Sequence, residues 1–112
     1  MQTRQLTREP GSLRAADIVN FKVQAGKADS MLAGRAAAVE ALRSRAPGLV
    51  SATLVELGNG EYLDIMVWDT MEQAQAAEEI AASTEGFASW GDAHVAAIGP
   101  RYLGTIRSSI DE

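Results

Sequence analysis

Two runs of alternating character, LVSATLVEL (49–57) and EYLDIMVWD (61–69), are separated only by Gly58-Asn59-Gly60. Alternation at period two marks strands with two unlike faces. Gly and Asn supply the positive φ angles of a tight hairpin. A central antiparallel hairpin is thereby specified, and the rest of the chain must pack on it. The second run also carries a carboxylate among large apolar residues. Leu63, Ile65 and Val67 share one face, while Tyr62, Asp64, Met66 and Trp68 share the other.

The flanking segments supply the remaining elements. ADIVNFKV (16–23) alternates and predicts a strand, and Ala25-Gly26 turns the chain. A helix over about 29–45 follows, with Leu32, Ala36, Val39 and Leu42 as its apolar stripe and Asp29 or Ser30 as its cap. Ala46-Pro47-Gly48 ends it, because proline disfavours a helical residue before it. After the hairpin, Asp69 or Thr70 caps a helix over 71–82, with Glu72 and Gln73 at capping-box spacing. A third helix, about 86–98, holds Phe87, Trp90, His94 and Ile98; Pro100 stops it, and RYLGTIRS (101–108) forms the last strand. The order βαββαβ predicts an α+β ferredoxin-like plait, a four-stranded antiparallel sheet with helices on one face and the first and third strands central. Residues 1–14, polar and holding Pro10-Gly11, are expected to form a flexible arm or a tail lying on a partner, with 15–112 as a single folded domain.

Composition narrows the function classes. The 112 residues are 46% hydrophobic and 22% charged with a net charge of −5, and no dense Lys/Arg cluster appears. Nucleic acid and anionic membrane are therefore poor partners. The absence of cysteine removes disulfides, thiolate metal sites and thiol catalysis, and fits a cytoplasmic protein. No apolar run approaches the ~20 residues of a membrane span. The first residues lack the apolar centre of a secretory signal.

The two central strands set an association problem. The first has Val19, Phe21 and Val23 on one face and Ile18, Asn20 and Lys22 on the other. Grouped with Leu63, Ile65 and Val67, the clean face holds six apolar residues. Leaving them wet forfeits on the order of 10 kcal/mol, at roughly 1.5–3 per side chain. A homodimer packing sheet against sheet removes that loss. The mixed face, with Asn20 and Asp64, then lies under the helices; strand phase alone is equally consistent with the reverse.

Several side chains are candidates for chemistry. Asp64 in an apolar cavity would be a proton acceptor, or else a carboxylate hydrogen-bonded to a Tyr, an Arg or backbone. Asn20 could donate to an oxyanion or superoxide, or bridge strands. Trp68 reads as core or pocket wall whose indole N–H orients a ligand oxygen. His94, the single histidine, lies four residues after Trp90 on one helical face and reads as acid/base, ligand or packing residue. One histidine and no cysteine give no metal site. A Ser–His–acid triad has no nucleophile-elbow sequence behind it.

Three segments, FKVQAGK, APGLVSATL and LDIMVWDTMEQAQAA, resemble the antibiotic-biosynthesis-monooxygenase (ABM) domains of the dimeric α/β-barrel superfamily over about residues 16–108. The resemblance implies the plait fold, dimerisation through the sheets and pockets between each sheet and its own helices. Some members oxygenate polycyclic phenols or anthrones with O₂ and no cofactor. In those, a Trp ending the third strand and a polar residue four positions earlier line the cavity. Trp68 and Asp64 match these positions, although the oxygenases often carry Asn where Asp64 stands, and the Tyr and Arg of their second helix and beyond have no clear counterparts. Haem-degrading members use an Asn, a Trp and a His; Asn20 is plausible, but the second helix lacks a Trp and His94 fits only with a gap. The implied function is a cytoplasmic, homodimeric, cofactor-independent monooxygenase (an oxidoreductase) acting on a phenolic or enolisable polycycle. Asp64 or His94 would take the proton, and Asn20, Tyr62, Met66, Trp68 and Trp90 would bind the substrate. The alternative is a non-catalytic dimeric module for ligand binding or stress association, with haem binding third.

Overall fold

The computed structural model describes residues 4–6 and 13–111. Its elements are β1 (Arg4–Leu6), β2 (Ala15–Val23), α1 (Ala28–Arg45), β3 (Leu49–Gly58), β4 (Glu61–Trp68), α2 (Met71–Ala82), α3 (Glu85–His94), β5 (Val95–Thr105) and β6 (Ser109–Asp111). The main sheet has the order β3-β4-β2-β5, antiparallel throughout, so the first and third predicted strands are indeed central. All three helices lie on one face, giving the α+β ferredoxin-like plait. β1 pairs with β6 in a separate two-stranded ladder; of the expected arm, residues 1–3 and 7–12 lie outside the described residues. None of the described helices is long and apolar enough to cross a membrane.

Local chemistry explains the clearest elements. Gly58, Asn59 and Gly60 all have positive φ, as the β3–β4 hairpin requires. Thr70 caps α2: its Oγ1 accepts from Gln73 N at 3.2 Å, and Gln73 Oε1 accepts from Thr70 N at 3.0 Å. The first helix is different. It starts at Ala28, and no side chain caps it, so neither Asp29 nor Ser30 does so. Its buried stripe is Met31, Ala38, Val39 and Leu42, while Leu32 is 48% exposed. The third helix ends at His94 rather than near 98. Val95 onward pairs with β2 instead, where sheet hydrogen bonds outweigh the helical tendency of the alanines. Pro100 is accommodated because β5 is an edge strand.

Register settles which residues share a face. Ile18 lies opposite Ile65 and Asn20 opposite Leu63, whereas Val19 faces Asp64 and Phe21 faces Tyr62. Directly opposed residues project to the same side. The clean face of β2 therefore joins the mixed face of β4 under the helices. The expected patch of Val19, Phe21 and Val23 with Leu63, Ile65 and Val67 does not exist. The open face carries Ile18, Asn20 and Lys22 with Leu63, Ile65 and Val67.

The helix-side core has two parts. One gathers Ala15, Val39, Leu42, Ala46, Leu49, Met66, Trp68, Ala74 and Ala77. The other holds Phe21, Val23, Met31, Ala38, Tyr62 and Trp90.

Candidate functional site

Asp64 sits on β4 between the two parts of the core, with Tyr62 on one side and Met66 on the other. It is not alone there. Arg35 reaches in from α1, and its Nη1 and Nη2 donate to Asp64 Oδ2 and Oδ1 at 2.8 and 2.9 Å. Both side chains are nearly buried, with 12% and 10% of their surface exposed. The fork-to-fork geometry fits a guanidinium to a carboxylate and satisfies both oxygens. Arg35 is not among the candidates that the sequence suggests, yet the sequence carries a signal for it. It lies four residues after Met31 and three before Ala38, inside the stripe that is actually buried, where an arginine requires a partner.

A second pair crosses from β2 to β5. Arg101 donates from Nε and Nη2 to the buried Asp17, both at 3.0 Å, from Nη1 to Glu78 at 2.9 Å, and from Nη2 to the Ala74 carbonyl at 3.1 Å. The hydrogen bond to Asp17, against the cost of burial, holds the Arg101 guanidinium above its usual range. It therefore stays charged through the neutral range.

Trp68 ends β4 and is fully buried. Its indole nitrogen is buried without a hydrogen-bond acceptor among the described residues. The ring lines a cleft of about 490 Å³ between the Ala46-Pro47-Gly48 turn, the start of α2 and Ile80. That volume is within the range of small-molecule sites, ~300–1,000 Å³. Thr70, Glu72 and Gln73 supply its polar atoms; Asp64 does not line it.

The remaining candidates are dispersed. Tyr62 stacks on Phe21 with ring centroids 5.6 Å apart. Met66 is buried beside Trp68. Trp90 donates its Nε1 proton to the Met31 carbonyl at 3.0 Å. His94 bonds the Trp90 carbonyl through Nδ1 at 2.8 Å and Ser30 Oγ through Nε2 at 2.9 Å. Asn20 projects from the open face, where Gly99 lies against its Oδ1. Ala15 pairs with Trp68 and Val23 with Val95, so the whole of β2 separates the Trp68 end from the His94 end. At ~3.3 Å per residue this is roughly 25 Å. The fold thus brings together Met66 and Trp68, and separately Tyr62, Trp90 and His94. Asp64 lies between the groups, and Asn20 faces away from both. Among the described residues no cluster of His, Asp and Glu could hold a metal ion.

No family model and no curated protein matches the sequence, whereas 43 chains of solved structures match the fold. SnoaB, a cofactor-independent oxygenase from Streptomyces nogalater, is 20% identical with a TM-score of 0.65, covering 86% of this chain and 95% of that one. A candidate antibiotic biosynthesis monooxygenase from Bordetella bronchiseptica, also 20% identical, gives 0.64 over 82% and 95%. A nipsnap-family protein of unknown function from Agrobacterium tumefaciens, 11% identical, gives 0.62 over 91% and 95%. The fold is that of the antibiotic biosynthesis monooxygenase domains. The ABM-like resemblance of the sequence is therefore upheld at the level of the backbone, across chains of similar length.

Proposed function

We propose that this ABM-fold protein is a cofactor-independent monooxygenase that acts with O₂ on a phenolic or enolisable polycyclic substrate. The observation that carries the reading is the Trp68 indole N–H, buried without an acceptor among the described residues, on a side chain that lines a ligand-sized cleft. Leaving such a donor unmet costs roughly 1–3 kcal/mol, and a substrate carbonyl or hydroxyl oxygen would recover it. Met66 lies between Trp68 and Asp64 on the same strand face, and a flexible thioether is suited to yielding as a flat ring system enters.

Asp64 is the proton acceptor in this scheme. It removes a proton from the activated C–H or O–H group, and Arg35, released from the neutral carboxyl, pairs with the substrate anion. The anion passes one electron to O₂, and the resulting radical pair combines to a peroxide. Loss of water then leaves one oxygen atom in a new carbonyl group and sends the other to water, so no external reductant is consumed. The protein works as a homodimer, because Ile18, Leu63, Ile65 and Val67 share the open sheet face with Val55 and the 61%-exposed Tyr102.

A second reading has its own support. With both oxygens held by Arg35, Asp64 is also what a non-catalytic ligand-binding module would carry as a structural partner. Oxygen uptake in metal-free buffer with a panel of anthrones and hydroquinones separates the two. The expected result is uptake above the buffer rate by a species sedimenting as a dimer, about tenfold slower in Trp68→Phe and absent in Asp64→Asn. Quenching of tryptophan fluorescence by the same compounds, with no uptake and only a lower melting temperature in Asp64→Asn, would decide for the binding module.

A further inference from the structure

The end of the molecule opposite the cleft holds a different arrangement, assembled from α1 and α3. The Trp90 carbonyl can only accept, so the His94 nitrogen 2.8 Å from it, Nδ1, carries the ring proton. In that tautomer Nε2 is the accepting nitrogen, and the Ser30 hydroxyl 2.9 Å away donates to it. A hydroxyl bonded to an imidazole that a third group holds in the correct tautomer is the arrangement that activates a serine nucleophile.

Two further features suit acyl transfer. Ser30 is exposed on the first turn of α1, so an incoming carbonyl carbon meets no wall. That turn has no side-chain cap, which leaves the N–H groups of Asp29 and Ser30 as donors at the positive end of an 18-residue helix. A developing oxyanion at Ser30 would find them. The Ser30–His94 bond is also not needed to join the two helices, since the buried Trp90–Met31 bond already does so.

We propose that Ser30, activated by His94, is an acyl-accepting nucleophile for small, activated carboxylic esters. The Ser30 Oγ forms a bond to the acyl carbon as the ester C–O bond breaks. The hydroxyl proton passes to His94 Nε2 and on to the leaving oxygen. Water, deprotonated by the same nitrogen, then cleaves the acyl-serine and releases the acid. This activity is independent of the oxygenase reading, whose cleft lies at the other end of β2.

The test uses p-nitrophenyl acetate with wild type, Ser30→Ala and His94→Ala, followed by peptide mapping of the acetylated protein. The proposal expects p-nitrophenolate release, a single acetyl group on Ser30, and rates about a hundredfold lower in both variants, the scale of general-base assistance. Acetyl groups found on lysines such as Lys22 or Lys27 instead, or a Ser30→Ala rate equal to wild type, would overturn it, as would no release. Ser30→Ala is the decisive variant if His94→Ala melts at a lower temperature, because it removes only a surface hydroxyl.

Discussion

The two tryptophans are both buried, and they differ in one bond. Trp90 gives its indole proton to the Met31 carbonyl and packs its ring against Phe87, with centroids 5.5 Å apart. Trp68 is more deeply buried still, yet its indole N–H meets no acceptor among the described residues and its ring forms the wall of a cleft. One end of the helix–sheet interface is therefore complete in itself. The other holds an unmet donor that a ligand oxygen would satisfy. Burial alone does not separate the two tryptophans; the fate of the single polar atom of each does, and it is what the proposed ligand contact at Trp68 rests on.

The seam between these ends is the Asp64–Arg35 pair, and breaking it gives the largest expected effect. Arg35→Met leaves a carboxylate uncompensated between the two parts of the core and should cost about 3–5 kcal/mol in urea unfolding. Adding Asp64→Leu to the same protein should recover most of that loss, since a buried ion pair contributes little beyond a well-packed apolar replacement. A cost below about 1 kcal/mol for Arg35→Met would mean that water reaches Asp64. The seam would then be open from the Trp68 side, and the contrast between the ends would extend to the middle of the sheet.

The tryptophans can be compared directly. Trp90→Phe loses the ring volume and strands the contact with the Met31 carbonyl, for an expected cost of about 2 kcal/mol. Trp68→Phe loses similar volume but removes a donor that had no partner, so it should cost about 1 kcal/mol less. Guanidinium denaturation of the two variants measures the difference. Equal costs would show that the Trp68 N–H finds an acceptor in solution and would take away the main support for a ligand there.

The parts of this arrangement that could be read in the sequence are those fixed by neighbours along the chain. The Gly58-Asn59-Gly60 turn and the Thr70–Gln73 capping box each depend on three or four consecutive residues, and both form as their spacing predicts. Asp64 and Trp68 on one face follow from strand period alone. What failed was pairing between segments. The face of β2 that joins Asp64 is decided by register, which one strand does not carry, so strand alternation cannot show that Asn20 and Asp64 lie on opposite sides of the sheet. The α1 stripe expected at Leu32, Ala36, Val39 and Leu42 holds for Val39 and Leu42, but in the first half of the helix the buried side runs through Met31 and Arg35 instead of Leu32 and Ala36. In an alanine-rich helix the small side chains define the apolar face weakly, and that misplacement concealed the partner of Asp64. The start of β5 is hidden in the sequence for a related reason. Val95-Ala96-Ala97 continues a helical pattern locally and becomes strand only because β2 offers a free edge.

The smallest effects come from a pair of glycines, one at each end. A Cβ on Gly48 would collide with the Gln73 side chain, which both lines the cleft and accepts from Thr70 N. Gly48→Ala should therefore push Gln73 out of the capping box and lower stability by about 1 kcal/mol, the usual worth of a cap. A Cβ on Gly34 would stand 3.1 Å from Trp90 Cδ1, a contact that the ring relieves by moving a few tenths of an ångström. Against that strain, alanine in a helix interior gains about 1 kcal/mol over glycine, so Gly34→Ala should be near neutral in thermal melting. The two variants differ more in what they do to ligands. Gly48→Ala displaces a cleft-lining side chain next to Trp68 and should weaken binding of an anthrone, whereas Gly34→Ala touches only the satisfied tryptophan and should leave it unchanged. Equal weakening by both would mean that the two ends of the core move together, and that the completeness of the Trp90 end is itself part of how the Trp68 end holds its ligand.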